Sequence, residues 1–116
     1  MTNPEYGIVL KANGDSMVIT FETDLGAQIN RIVGGYFESI VQRTEHGDID
    51  MWVNEEGKML GLPINTQATE LFHKYFSNAD VIVGDVLLTG GVDRDGNTLG
   101  LTQEQVNLFL PNNKEN

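Results

Sequence analysis

Residues 8–21 read IVLKANGDSMVITF, and this stretch decides the class of fold. Asn13-Gly14 sits between two apolar segments, 8–12 and 16–21. An Asn-Gly pair accepts the positive φ of a tight turn, so the segment predicts an antiparallel β-hairpin. Side chains alternate across a strand, which puts Met17, Ile19 and Phe21 on one face and Val18 and Thr20 on the other.

Downstream of the hairpin the apolar period changes from two to helical. Leu25, Ile29, Ile32 and Val33 share a helix face, Thr23 or Asp24 can cap its start, and Gly34-Gly35 can close it. Residues 36–41 and 49–53 read as a third and fourth strand, with His46-Gly47-Asp48 between them. A turn at Asn54-Glu55-Glu56-Gly57 comes next, then a short strand at 58–62 that Pro63 interrupts. Asn65 or Thr66 opens a second helix running to about Ser77, with Ala68, Leu71, Phe72, Tyr75 and Phe76 as its apolar stripe. Residues 81–89 form the most apolar strand, expected in mid-sheet and broken by Gly84. A loop through Gly90-Gly91 and Asp95-Gly96-Asn97 leads to a capping box at Thr102–Gln105, a short last helix to Leu110, and a stop at Pro111. The expected order is ββαβββαβα. This is an α+β fold: one compact domain over 1–111, a mainly antiparallel sheet, and helices packed on one face. Residues 112–116 read as a frayed tail.

Composition narrows the function classes. With 116 residues and 40% hydrophobic content, the chain can bury a single core. It has no cysteine, which excludes disulfides, thiolate metal sites and a cysteine nucleophile. No apolar run is long enough to span a bilayer and the start lacks a signal-peptide pattern, so a cytoplasmic location is expected. Seventeen acidic residues against seven Lys and Arg give a formal charge of −10. Such a chain is poorly suited to hold a phosphate backbone, and direct nucleic-acid binding is not expected. Glu45, Asp48 and Asp50, with Glu55 and Glu56 beyond them, form the densest acidic stretch. It reads as a solvated surface or as a face that meets a basic patch on a partner.

Few residues advertise chemistry. Ser16, Ser39 and Ser77 sit in no nucleophile elbow, and His46 and His73 lack metal-ligand spacing. Asp93-Arg94-Asp95-Gly96-Asn97 with Glu104 imitates part of a calcium loop, but Thr98 occupies the position that requires glycine, so an ordinary polar turn is expected. No metal or cofactor is expected. Glu55 or Glu56 could act as a general base, which leaves a small hydrolase as the least supported function. The segment 54–65 is the best candidate binding region. Asn54, Glu55, Glu56 and Lys58 offer donors, acceptors and charge, Pro63 fixes the path, and Asn65 with Thr66 begins a helix whose free N–H groups favour an anion. Tyr36 and Glu38, just after the glycine pair, are candidate neighbours.

Three segments, IVGGYFESI (32–40), VNEEGKMLGLPINTQAT (53–69) and VIVGDVLLTG (81–90), resemble a family of small domains of unknown function carried mainly by bacteriophages and other mobile elements. The likeness extends from about Gly26 to Gln105, and the middle segment is its most specific part. It implies no catalytic residue. It implies a context: an accessory protein that inhibits a host factor or defence pathway, with a basic host surface as partner. The alternative is a sponge for a small anionic, nucleotide-like signal. Open sheet edges at the first hairpin or after Gly57 would also permit a homodimer.

Overall fold

The computed structural model describes residues 3–75 and 80–110. The chain runs β1 (Tyr6–Leu10), β2 (Ser16–Thr20), α1 (Leu25–Val33), β3 (Phe37–Thr44), β4 (Gly47–Asn54), α2 (Thr66–Tyr75), β5 (Val86–Thr89) and α3 (Gln103–Phe109). The five strands form one sheet in the order β2-β1-β5-β4-β3. Every neighbouring pair is antiparallel. The α+β class and the antiparallel sheet are as the sequence predicts. Phe76 and Ser77, Pro111 and the tail 112–116 lie outside the described residues.

Local chemistry sets the element boundaries. Asp24 caps α1, its carboxylate accepting from the Ala27 N–H at 3.0 Å, and Gly34 closes the helix with φ 84°. The β3–β4 hairpin is longer than expected because its turn is tighter. Thr44 Oγ1 donates to the Gly47 carbonyl at 2.7 Å and accepts from the His46 N–H at 3.0 Å, so the ladder closes over two residues. Thr102 and Gln105 form the predicted capping box of α3.

Two expectations are corrected. The helices do not share one face of the sheet. Ile8, Leu10, Met51, Val86 and Leu88 pack against Ala68 and Phe72 of α2 and Val106 and Phe109 of α3. Val9 and Leu87 point the other way, onto Ile29 and Val33 of α1. The uninterrupted runs Ile8-Val9-Leu10 and Val86-Leu87-Leu88 explain this, since central strands without polar alternation need cover on both sides. α1 therefore crosses one face on its way from the β2 edge to the β3 edge, while α2 and α3 cover the other.

The second correction concerns residues 58–62, which form no strand. The Leu60 N–H donates to the Glu56 carbonyl at 2.9 Å and the Gly61 N–H to the Lys58 carbonyl at 3.1 Å, a run of turns. The two sheet edges are thus β2 and β3. The apolar segment 81–89 also yields a shorter strand than its composition suggests. Gly84 turns the backbone with φ 80°, and Val83 makes just an isolated bridge to Ile64.

Candidate functional site

β4 ends at Asn54, a buried residue that organises the acidic turn beyond it. Its amide donates to the Val33 carbonyl at the end of α1 at 3.1 Å, and its side-chain oxygen accepts from the Glu56 N–H at 2.8 Å. The Glu55 N–H donates to the Tyr36 carbonyl at 2.9 Å. The turn is therefore bound to α1 and to the entry of β3. Gly57 is buried at the next step, and the position excludes a side chain, which would meet Val83 Cγ2 at 2.8 Å. Lys58 then pairs with Asp80, which closes the turn onto the segment after α2.

Together these elements enclose a cleft of about 370 Å³. Glu38, Glu55, Glu56 and the Lys58–Asp80 pair line it, over apolar surface from Ile40, Val53, Phe72 and Val81–Val83. Four carboxylates thus face one ammonium. The Lys58 hydrogen bond is the largest cause of a lowered Asp80 pKa, with the Val81 N–H next. Among the described residues the lining contains no histidine and no hydroxyl side chain.

The structure brings together Glu38, Asn54, Glu55, Glu56 and Lys58, as the sequence suggests. It separates the others. Tyr36 is 73% exposed and outside the cleft. Pro63 and Thr66 are exposed and also outside it, the Pro63 carbonyl accepting from the Gly84 N–H at 2.8 Å. Asn65 is fully buried, so it offers nothing to a ligand. Its amide donates to the carbonyls of Leu10 and Gly84 at 2.9 and 2.8 Å, and its oxygen caps the Ala68 N–H at 3.0 Å. The expected anion-binding helix start is occupied by its own cap.

The acidic stretch also divides. Strand β4 separates Asp48 from Glu55 by seven residues, roughly 23 Å along an extended chain. Glu45 is exposed in the β3–β4 turn, and Asp48 reaches Arg43 Nη1 at 3.6 Å. Asp50 is no surface residue. It is 3% exposed, and burial, then the neighbouring Asp48 charge, raises its pKa. Asp93 engages its carboxylate within its own turn, accepting from the Asp95 and Asn97 N–H groups at 2.9 Å each.

Residues 6–112 match the family model described as Domain of unknown function (DUF3846). The chain belongs to this family. Neither a curated protein nor a solved structure matches it. Among the described residues of this DUF3846 domain, no helix is long and apolar enough to cross a membrane. Asp80 is the cleft residue that the sequence did not signal. It meets Lys58 across 22 positions, with no local pattern to mark the contact.

Proposed function

We propose that this domain is a non-enzymatic binding module that takes a basic segment of a partner protein into the cleft beside β3 and the acidic turn. In this reading it serves a bacteriophage or mobile element as an accessory protein, and the partner is a host factor or a component of host defence. One observation carries the reading: Glu38, Glu55 and Glu56 converge with the Lys58–Asp80 pair on a single concavity with an apolar floor. Carboxylates around such a floor suit Lys or Arg side chains with their apolar stems, and their field steers a basic partner.

The sponge reading fares less well. An anion would meet four carboxylates, and the one ammonium is already paired. The Asn65 side chain, which a helix-start anion site would need, is inside the core. Thermal shift with linear and cyclic nucleotides checks this directly, because a ligand specific for the native state must raise Tm. No shift at millimolar nucleotide is expected.

The main reading is tested by capture from host lysate at low and high salt, comparing the native chain with the combined Glu38→Gln, Glu55→Gln, Glu56→Gln variant. A host protein with a basic surface should be retained by the native chain at low salt and released by salt. It should be lost from the variant while the variant's Tm stays near native. Equal retention by both chains would remove the cleft from the interface.

A further inference from the structure

A second groove lies on the opposite face of the sheet, between the β3–β4 hairpin and the loop after β5. Strand alternation sends Val41 and Arg43 of β3 and Asp48, Asp50 and Trp52 of β4 to this side, and no residue of α1 lines the groove. The loop from Gly90 to Gly100 forms the far wall, and the space measures about 600 Å³. Its rim is apolar and exposed, with Val41 at 46%, Val92 at 58% and Leu99 at 40%.

Asp50 sits at the floor. Its side chain has no hydrogen-bond or ion-pair partner among the described residues, and although the residue is 3% exposed its oxygens still reach the groove. An uncompensated carboxylate at such a site is costly, and Asp48 beside it adds repulsion. Trp52 lies two residues along the same strand face, with its ring held in place. Its indole N–H donates to Thr89 Oγ1 at 2.9 Å, and Phe37 packs edge-on at 5.6 Å and 82°. The nearby Arg43 engages Asp48 at 3.6 Å with its side chain 82% exposed, so a guanidinium is already accommodated at the mouth.

We propose that this groove receives an arginine side chain from a partner polypeptide, with Asp50 accepting from the guanidinium, Trp52 bordering its plane, and the apolar rim holding the flanking residues. A guanidinium is planar, weakly hydrated and rich in donors, and it stacks on aromatic faces. It satisfies a buried carboxylate where a compact ammonium would need to shed more water. The proposal does not depend on the cleft by β3 and the acidic turn, because the two concavities share no lining residue.

The chain contains a single tryptophan, and it lines this groove, so its emission under selective excitation reports binding there. The full chain is titrated with the peptide N-acetyl-Leu-Arg-Leu-amide, its citrulline counterpart, and N-acetyl-arginine amide. A saturable change with the arginine peptide is expected, at least about tenfold weaker with citrulline and in Asp50→Asn, since each removes a charged hydrogen bond. The Glu38→Gln, Glu55→Gln, Glu56→Gln variant should titrate like the native chain. No saturable change, equal binding of the citrulline peptide, or unchanged binding by Asp50→Asn overturns the assignment. Equal affinity for N-acetyl-arginine amide overturns the polypeptide as occupant. The citrulline comparison uses the native chain and stands however the variant folds.

Discussion

The side-chain amide of Asn65 donates to the carbonyl of Gly84 at 2.8 Å, and this bond joins the start of α2 to the loop that enters β5. The same amide holds the Leu10 carbonyl at the end of β1, while the side-chain oxygen caps the Ala68 N–H. One buried residue thus serves two carbonyls and a helix N-terminus. Asn65→Ala takes a hydrogen bond from each of these three groups in a site that water does not reach. A loss of about 2–4 kcal/mol is expected from the cap and the two lost carbonyl bonds together. That corresponds to a fall in Tm on the order of 10 °C for a domain of this size. Asn65→Asp should not rescue it, because it keeps the cap but removes both donors. A thermal melt of either variant within a degree or two of native would contradict this role.

Asn65 also shows how far the sequence could be read. Its place before an amphipathic segment marks a helix cap, and that much is local chemistry. Whether a cap faces solvent or core depends on Leu10 and Gly84, which lie 55 and 19 residues away. The hairpin at Asn13-Gly14, the cap at Asp24 and the capping box at Thr102 are legible for the same reason: each is decided within a few residues. The placement of α1 opposite α2 and α3 was encoded in Ile8-Val9-Leu10 and Val86-Leu87-Leu88, as apolar runs without alternation. Asp50 carried no such signal. Its burial comes from strand register against Val41 and Thr89 and from the loop beyond β5.

Asp50 makes a further prediction about pH. Its carboxyl holds a proton more tightly in the folded chain than in the unfolded one, because burial and Asp48 disfavour the charge. Stability from this group is therefore complete below the ordinary value of 3.8 and is lost as pH rises through the higher folded value. Asp50→Asn removes the dependence. The variant should melt above the native chain at pH 7 by a few degrees, on the order of 1 kcal/mol. The gap should shrink as pH falls towards 4. Melts at several pH values decide it, and a variant less stable than native at pH 7 would mean that the carboxylate is satisfied in the fold.

Lys58 and Asp80 predict the opposite sign. Asp80 sits below its ordinary 3.8, first because Lys58 donates to it and next because the Val81 N–H does. Stability from this pair is present above the unfolded value and lost as pH falls through the folded one, so its pH dependence is confined to acid. Lys58→Gln should move the Asp80 titration upward, as read by NMR of its side-chain carbon. The pair is exposed, so Tm at pH 7 should hardly change. An unmoved Asp80 titration would show that the Val81 N–H dominates instead.

Gly90 and Gly14 separate two reasons for keeping a glycine. Gly14 has φ 100° and open space around it, so Gly14→Ala faces backbone strain alone, about 1–2 kcal/mol. At Gly90 a side chain would lie 2.4 Å from the Gly100 carbonyl oxygen, a contact that no rotamer relieves. The Gly90 N–H donates to the Leu99 carbonyl at 2.8 Å and the Leu99 N–H to the Gly91 carbonyl at 2.9 Å, which pins the two backbone segments together. Gly90→Ala must push them apart. It should cost about 1–3 kcal/mol as overpacking against backbone. It should also displace the wall of the Asp50 groove, so its tryptophan emission should differ from native while that of Gly14→Ala should not. Emission spectra and melts of the two variants, taken side by side, test whether the Gly90–Gly100 crossing shapes that groove or merely borders it.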